Sequence, residues 1–225
     1  MIETFDGFNA FNAEDLVAWA LREFGGDAAI ASSFGLEDVA LIDIASRSGV
    51  AFNVFTLDTD FLFPETYALI DRLEQRYGFT THRVRSELTP QQQAERFGDE
   101  LWRRDPDACC NLRKVQPLKA KLSTLGAWIT GIRRDQAPTR AKTRKVEWDA
   151  KFRLVKFNPL ADWTWDDVWS YVRTNDVPHN PMHNHGYPSI GCTYCTRAVA
   201  PGEDLRAGRW AGSEKTECGL HSANG

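Results

Sequence analysis

The chain has 225 residues, 42% hydrophobic and 26% charged, which is typical of a globular protein with one sizeable core or two small domains at most. No apolar run approaches the roughly 20 residues that a transmembrane helix needs, and the acidic, aromatic start of the chain differs from a secretory signal, so we expect a cytoplasmic protein with no membrane partner. The formal net charge of −4 combines −11 over residues 1–100 with +7 over residues 101–225.

Short apolar runs alternate with amphipathic segments, which predicts an α/β fold with a parallel twisted sheet and helices on both faces. The expected strands are residues 28–32, 52–57, 79–84, 127–132 and 154–157. The expected helices are residues 36–47, 64–77 and 165–173. Gly78 is expected to end the second helix as a C-cap, and Thr164 with Asp167 to begin the third as a capping box.

The last part of the chain has a different composition. Residues 176–190 contain three prolines, which predicts a long shaped loop. Residues 201–225 are polar and glycine-rich and show no pattern of core residues. We therefore expect a single α/β domain over residues 1–200, followed by a flexible tail over residues 201–225.

The turn after the first strand consists of Ser32, Ser33, Phe34 and Gly35, at the start of a predicted helix. Small residues allow the backbone to approach a ligand, and free amides at a helix N-terminus favour an anion. The turn matches neither a Walker lysine loop nor a dinucleotide-binding glycine pattern. A second indication of an anionic ligand is the segment 133–156, where nine basic residues outnumber three acidic ones, although a solvated surface has the same pattern.

Four of the five cysteines form two close pairs, Cys109 with Cys110 and Cys192 with Cys195. A Cys-x-x-Cys turn directs two sulfur atoms at one centre, and the two pairs together form a four-thiolate site for zinc or an iron–sulfur cluster. Their spacing does not distinguish these metals. The alternatives are burial as small apolar side chains and a redox role for Cys192 and Cys195. Lys114 follows the first pair and is a candidate to link an anionic cluster to an anionic substrate.

The fifth cysteine, Cys218, lies near the end of the chain between Lys215 and His221. Nearby positive charge lowers the pKa of a thiol and so favours the reactive thiolate. A mobile segment can also present one sulfur atom to two partners in turn. Cys218 is therefore either a nucleophile or an incidental exposed thiol.

Seven separated segments together resemble the assimilatory adenylylsulfate (adenosine 5′-phosphosulfate) reductases of the iron–sulfur type, in the phosphoadenylylsulfate reductase family. The segments are residues 32–35, 57–59 with 63–67, 109–110 with 113–114, 130–136 with 139–140, 191–197, 202–210 and 217–221. They span nearly the whole chain in the order that the family has. One departure is Asp60, because the family usually has glycine after Leu-Asp-Thr.

The resemblance implies an adenine nucleotide α-hydrolase-like (PP-loop-like) fold that binds adenosine 5′-phosphosulfate. It implies that the phosphosulfate end lies at Ser32, Ser33, Phe34 and Gly35, and that Leu57, Asp58 and Thr59 border the adenosine. The other substrate-binding residues that it implies are Lys114, Gly131, Arg133, Arg134, Arg140, Arg206, Arg209 and His221. It assigns Cys109, Cys110, Cys192 and Cys195 to a 4Fe–4S cluster, whose presence favours adenylylsulfate over its 3′-phosphorylated form.

The resemblance also implies a mechanism in sulfate assimilation and cysteine biosynthesis. The Cys218 thiolate would attack the sulfur of the bound substrate, so that AMP leaves and an S-sulfonate remains on Cys218. Cationic residues would offset the charge of the sulfuryl group and of the leaving AMP. Thioredoxin or a thioredoxin-like reductant would then release sulfite, and the resemblance is compatible with a homo-oligomer.

Three alternatives remain open from the residues and the resemblance. The nearest is a phosphoadenylylsulfate reductase with the same mechanism. A sulfur-inserting RNA-modifying enzyme of the same larger fold is disfavoured, because the first turn lacks the Ser-Gly-Gly-x-Asp-Ser type of loop. A zinc-stapled nucleic-acid-binding protein is disfavoured, because the basic residues are interspersed with Trp, Pro and Asp and the net charge is −4. We therefore expect no nucleic-acid partner.

Overall fold

Strands and helices alternate along the computed structural model, which describes residues 5–213, 215 and 217–221. The strands in this part of the chain are β1 (Ala28–Ala31), β2 (Val54–Asp58), β3 (Thr81–Arg85), β4 (Ala127–Ile129), β5 (Val146–Asp149) and β6 (Leu154–Phe157). The α-helices are α1 (Ala13–Phe24), α2 (Leu36–Arg47), α3 (Pro64–Tyr77), α4 (Pro90–Phe97), α5 (Leu101–Arg104), α6 (Pro106–Cys110), α7 (Gln116–Leu122) and α8 (Trp165–Thr174). A π-helical segment, Asn111–Val115, joins α6 to α7.

The strands form one sheet in the order β3-β2-β1-β4-β6-β5. Every neighbouring pair is parallel except β5 and β6, which are antiparallel. The chain first adds strands on one side of β1 and later on the other side, so a topological switch point lies between β1 and β4. Ligands of such sheets bind beyond the carboxyl ends of the strands at this point, which here means beyond Ala31 and Ile129.

Both faces of the sheet are covered, because alternate strand residues point to opposite sides. Ile30 and Ile129 belong to the larger core, which includes buried residues of α1, α2, α3 and α8. Ala29 and Trp128 belong to a smaller core with residues of α7. The predicted α/β class, with a mainly parallel sheet between two helical layers, is confirmed.

Several predicted boundaries are confirmed. Helix α2 and strand β6 have the predicted limits. Gly78 ends α3 with a φ of 70°, in the left-handed region where glycine is favoured. Thr164 begins α8 with a capping box. Strand β4 ends at Ile129 and not at residue 132; beyond it, Gly131 lies against the start of α2, where a Cβ atom would be 2.9 Å from Glu37 Cβ.

The sequence patterns do not predict α1 or β5. Helix α1 begins at Asn12, whose side chain accepts a hydrogen bond from the amide of Asp15. Strand β5 has four residues and pairs on one side only, so its sequence pattern is weak. The predicted loop over residues 176–190 also contains a 3₁₀ helix, Pro181–His185, which Asn180 caps.

The described residues after 200 contain no helix and no regular strand, yet they pack against the domain. Arg209 forms an isolated bridge with Thr196. The side chain of Trp210 is buried, with 4% of its surface exposed. Among the helices described, none combines the length and the apolar character needed to cross a bilayer.

Candidate active site

A cavity of about 210 Å³, which we call the main cavity, lies beyond the carboxyl ends of β1, β2 and β4. Ser32, Thr59 and Gly131, which follow these three strands, contribute to its wall. The cavity therefore occupies the switch point of the sheet. The predicted site residues that line it are Ser32, Ser33, Gly35, Leu57, Thr59, Lys114, Gly131, Arg133, Arg140, Arg206, Arg209, Cys218 and His221.

Three residues predicted to bind substrate have side chains outside this lining. Phe34 is buried in the larger core. Asp58 is fully buried and accepts a hydrogen bond from the hydroxyl of Tyr67 at 2.7 Å. Arg134 forms an ion pair with Asp162. These side chains support the strand ends and loops around the cavity and do not face into it.

The turn after β1 uses its hydrogen-bond donors internally. The amide and the hydroxyl of Ser33 both donate to Asp38 Oδ2, at 2.6 Å and 2.9 Å. The hydroxyl oxygen of Ser32 accepts a hydrogen bond from the amide of Phe34 at 3.0 Å. Burial and the nearby charge of Glu37 raise the pKa of Asp38 to about 6. An anion bound at this turn therefore meets the Asp38 carboxyl as a competing acceptor.

On one wall of the main cavity, an acidic side chain is hydrogen-bonded to an arginine and a glutamine. Glu37 accepts hydrogen bonds from Arg133 Nε and Gln136 Nε2, each at 2.9 Å. Gly131 lies so close that a Cβ atom there would be 2.5 Å from Asp38 Oδ1. Only glycine fits this position without displacing the carboxyl. The wall is therefore rigid and polar, which suits recognition of sugar hydroxyls or a base.

The adjoining wall is basic, and Arg140 Nη1 donates to Gln136 Oε1 at 2.6 Å where the two walls meet. Lys114, Arg140, Arg206 and Arg209 all line the main cavity. Arg209 is held by a hydrogen bond from its Nη1 to the hydroxyl of Ser189, at 3.1 Å. Several cations around one concave surface focus a positive potential. This wall is therefore suited to the anionic part of a ligand.

The described part of the tail covers one side of the main cavity. Leu220 packs against the smaller core. The ring of His221 stacks on Trp128, with 5.3 Å between ring centroids. Lys151 Nζ donates to a backbone carbonyl of the tail at 2.6 Å. These contacts hold the tail against the domain while Cys218 lines the cavity.

The other four cysteines line a second cavity, the thiol cavity, together with Lys114 and Arg113: Cys109, Cys110, Cys192 and Cys195. All are free thiols. Burial and neighbouring thiols raise the pKa of Cys109 and of Cys195 to about 11. Within the described ranges, no three His, Cys, Asp or Glu side chains converge closely enough to bind one metal ion. The four thiols thus line one small cavity.

Polar side chains contact two of these thiols. Thr59 Oγ1 lies 3.3 Å from Cys192 Sγ. Gln93 Nε2 donates to Cys109 Sγ at 3.9 Å, within the range for sulfur acceptors. Hydrogen bonds to sulfur are among the features that tune a thiolate-ligated metal centre.

Arg113 lies buried beside the thiol cavity and joins these polar contacts. Its Nε donates to Gln93 Oε1 at 2.8 Å, and its Nη1 donates to the carbonyl of Thr59 at 3.2 Å. It also forms an ion pair with Asp60, with 2.9 Å between Nη1 and Oδ2. Asp60 has a φ of 57°, in the region that favours glycine. The aspartate at this position therefore supplies a counter-charge to a buried arginine.

The fold and the two adjoining cavities define an α/β protein of the doubly wound, nucleotide-binding class. The chain belongs to the phosphoadenosine phosphosulfate reductase domain family, whose sequence model matches residues 27–198. The adenosine 5′-phosphosulfate reductase of Shouchella clausii (strain KSM-K16) is 48% identical over 209 residues, which cover 92% of this chain and 87% of the relative. Adenosine 5′-phosphosulfate reductase 2 of Bacillus subtilis (strain 168) is 48% identical over 208 residues, 92% of this chain and 88% of the relative.

Solved structures agree with this assignment. Phosphoadenylyl-sulfate reductase from Candida auris, in a phosphate complex, has a TM-score of 0.75 at 26% identity and covers 88% of this chain and 98% of that chain. Candida glabrata FMN adenylyltransferase with FAD and pyrophosphate has a TM-score of 0.59 at 13% identity, over 80% of this chain and 61% of that chain, and shares the fold alone. The predicted family and fold are confirmed.

Five residues of the site are not among the predicted site residues: Glu37, Asp38, Trp128, Gln136 and Glu217. Glu37 and Asp38 directly follow the first turn, and Glu217 directly precedes Cys218. Their positions beside recognised motifs were the available signal. Their partners lie far away in the sequence, so only the folded chain brings the charges together.

Proposed function

We propose that this protein reduces adenosine 5′-phosphosulfate to sulfite and AMP in assimilatory sulfate reduction, which leads to cysteine biosynthesis. The observation that carries the proposal is that Cys218 lines the same cavity as Lys114, Arg140, Arg206 and Arg209. A thiol that faces a cation-lined cavity is suited to attack an anionic nucleotide. The names of the relatives from Shouchella clausii and Bacillus subtilis support the same substrate.

In the first step, the Cys218 thiolate attacks the sulfur atom of the sulfuryl group. A sulfur–sulfur bond forms, the bond from sulfur to the phosphate oxygen breaks, and its electron pair leaves with AMP. The product on the protein is a Cys218 S-sulfonate. The sulfuryl oxygens repel an incoming anion, so Lys114, Arg206 and Arg209 assist by offsetting negative charge on both the sulfuryl group and the leaving phosphate.

In the second step, a thioredoxin or thioredoxin-like dithiol attacks Cys218 Sγ. Sulfite leaves with the electron pair of the sulfur–sulfur bond, and a mixed disulfide forms between the two proteins. The second thiol of the reductant then restores the Cys218 thiolate and leaves the reductant as a disulfide. The two electrons that convert the sulfuryl group to sulfite thus come from the dithiol.

Cys109, Cys110, Cys192 and Cys195 would hold a 4Fe–4S cluster in the thiol cavity. The donor set supports the fit, because four free cysteine thiols line one small cavity and thiolates are the usual ligands of iron–sulfur clusters. When bound, a cluster of this type supplies net negative charge. Lys114 lines both cavities and would feel that charge while facing the substrate.

The reaction also determines the cellular setting and the division of the chain. Free thiols and a dithiol reductant require a reducing compartment, so we assign the protein to the cytoplasm. Residues 1–200 form the nucleotide-binding and cluster-binding domain. Residues 201–225, of which 214, 216 and 222–225 lie outside the described part of the structure, act as a catalytic tail that must leave the cavity for the second step. A homo-oligomer is compatible with this arrangement.

The nucleophile is tested with Cys218→Ser. Wild-type protein mixed with adenosine 5′-phosphosulfate, without reductant, should gain one sulfonate group by intact mass. The Cys218→Ser protein should gain none, and peptide mass mapping of the wild-type adduct should place the sulfonate on Cys218. An adduct that persists in Cys218→Ser would show that the nucleophile is another residue.

The substrate is tested by sulfite release with adenosine 5′-phosphosulfate and with its 3′-phosphorylated form, each with and without thioredoxin. We expect release with the first nucleotide and only when thioredoxin is present. Faster release with the 3′-phosphorylated nucleotide would reverse the substrate assignment.

The cluster is tested by metal analysis. Anaerobically purified protein should contain about four iron and four sulfide per chain. Zinc without iron would exclude the cluster.

A further inference from the structure

Glu217, the residue before the proposed nucleophile, is attached to the wall of the main cavity by its side chain. Its carboxylate accepts hydrogen bonds from Arg140 Nε at 3.0 Å and from Arg140 Nη2 at 2.9 Å. It also accepts hydrogen bonds from Arg206 Nη2 and Thr139 Oγ1, each at 3.2 Å. Bidentate, charge-assisted hydrogen bonds of this kind are the strongest that side chains make.

The carboxylate stays ionised in this position. Burial alone would raise the pKa of Glu217, but the hydrogen bonds and charges of Arg140 and Arg206 lower it below its ordinary value. The contact is also accessible to change, because 18% of the Glu217 side chain remains exposed. A strong ion pair at the edge of a cavity can therefore form and open during a reaction cycle.

The position of this ion pair in the chain gives it a specific consequence. Leu220 and His221 fix the tail after Cys218, on the smaller core and on Trp128. Glu217 fixes the tail immediately before Cys218, on arginines that themselves line the main cavity. The thiol is thus held from both sides, and the Glu217 contact is the one whose partners are cationic residues of the main cavity lining.

We propose that Glu217 is a positioning residue, whose clamp on Arg140 and Arg206 holds the tail closed with the Cys218 thiol in the main cavity. Opening of the clamp exposes the thiol to the dithiol reductant. Closure of the tail stands on the contacts alone, whereas the catalytic consequence rests on the proposed function. Two separate measurements distinguish these parts.

Closure is tested by the rate at which iodoacetamide alkylates Cys218, measured by peptide mass in protein without nucleotide. The alkylation rate is measured at increasing pH until it no longer rises. This limiting rate is compared among the variants, because it depends on access to the Cys218 thiolate and not on the pKa of the thiol. Glu217→Gln should raise the limiting rate about tenfold, the effect of losing one charge-assisted hydrogen bond. Glu217→Asp, which keeps the charge on a shorter side chain, should give an intermediate rate.

The matched control is Glu203→Gln. Glu203 forms an exposed ion pair with Arg197, with 2.8 Å between Nη1 and Oε2, outside the main cavity. This variant should alkylate like wild type. Thermal unfolding of each variant shows whether it is folded, and Glu217→Asp serves if Glu217→Gln is not. Equal limiting rates in wild type, Glu203→Gln and a folded Glu217 variant would overturn the clamp.

The catalytic consequence is tested in single turnovers with adenosine 5′-phosphosulfate. In Glu217→Gln, formation of the S-sulfonate should slow about tenfold, because the thiol spends less time in the cavity. Release of sulfite from preformed S-sulfonate by excess thioredoxin should not slow. A merely structural defect would slow both steps and would overturn the positioning role. If wild type forms no adduct at all, the proposed function fails, while the alkylation rates still decide whether the clamp exists.

Discussion

At the scale of single residues, Asp60 combines an unfavourable backbone conformation with a favourable ion pair. Its left-handed backbone costs a non-glycine residue about 1 kcal/mol. Its carboxylate, 28% exposed, pairs with Arg113, which is only 1% exposed, and losing a charge-assisted hydrogen bond to a buried group costs about 3 kcal/mol. We therefore expect Asp60→Gly to lower the free energy of unfolding by about 2 kcal/mol, measured by urea denaturation at matched iron content.

Asp60→Asn is the control for this prediction. Asparagine tolerates the left-handed conformation and keeps an acceptor oxygen for Arg113, so its effect should be smaller. A higher urea midpoint for Asp60→Gly than for wild type would show that strain is the larger effect.

Asp38 makes stability depend on pH in a defined direction. Its pKa is 3.8 in an unperturbed chain and about 6 in the fold, because burial and Glu37 disfavour the charge. The folded state therefore holds the proton more tightly, and stability falls as pH rises from 3.8 to about 6. Asp38→Asn lacks this titration. Over this interval the variant should gain about 3 kcal/mol relative to wild type, measured by urea denaturation. A constant difference across the interval would contradict the assigned shift.

Part of the site was predictable at this scale because certain residue types are rare and carry distinctive chemistry. Paired cysteines at 109–110 and 192–195, and a cysteine near the end of the chain, indicate their chemistry by type and spacing. Acidic residues are common on protein surfaces, so their presence in a sequence does not indicate a functional site. Glu37 and Glu217 take part in the site only because folding places them against Arg133 and Arg140.

At the scale of elements, one buried carboxylate joins three helices. Asp43 of α2 accepts hydrogen bonds from the hydroxyls of Tyr77 in α3 and Tyr171 in α8, at 2.8 Å and 2.7 Å. Arg47 adds a hydrogen bond at 2.6 Å. Burial and the hydrogen bonds to Asp43 raise the pKa of both tyrosines. Asp43→Asn should lower the free energy of unfolding by about 2–3 kcal/mol, because it removes charge-assisted bonds from a buried site.

Two measurements check this prediction for Asp43. Urea denaturation gives the stability, and ultraviolet titration should show that the pKa of Tyr77 and Tyr171 falls in the variant. The control is Asp71→Asn, since Asp71 makes an exposed pair with Arg83 at 3.4 Å and should contribute less than about 0.5 kcal/mol. Equal losses of unfolding free energy in the two variants would show that the hydrogen bonds of Asp43 at the three-helix junction stabilise the fold no more than an exposed ion pair does.

The elements were predictable where local pattern and local chemistry agree. Helix α2 has a long apolar periodicity, and α3 ends at a glycine that the left-handed C-cap favours, so both were predicted with correct ends. Strand β5 depends on pairing with β6, which is a tertiary contact that four residues do not encode. The need for glycine at position 131 likewise depends on the distant Asp38.

At the scale of the whole molecule, the uneven charge of the chain acquires a spatial meaning. Residues 1–100 carry −11 and residues 101–225 carry +7. The first part supplies Glu37 and Asp38 to one wall of the main cavity, and the second supplies Arg140, Arg206 and Arg209 to the other. The switch point brings the two parts together. A polar wall that adjoins a basic wall suits a small ligand with a neutral and an anionic end better than the long polyanion of a nucleic acid.

The closed tail also links pH to the exposure of the proposed nucleophile. The pKa of His221 is lowered well below 6.5, first by burial and then by the charges of Lys156, Arg140, Arg206 and Lys151. Docking of the tail on the domain therefore favours the neutral imidazole, and protonation of His221 opposes docking. Docking is therefore fully stable above pH 6.5 and weakens as pH falls below it, while Glu217, whose pKa lies below 4.5, remains ionised.

Below the ordinary pKa of histidine, protonation of His221 favours the undocked tail. We therefore expect hydrogen exchange at the amides of residues 217–221, corrected for intrinsic rates, to accelerate by about tenfold per pH unit in this range. His221→Phe keeps an aromatic ring on Trp128 and does not titrate, so its protection should be constant over the same range. Any contribution of the four other histidines is the same in both proteins and cancels in this comparison. The same acceleration in His221→Phe would place the pH dependence elsewhere than in the stacked ring.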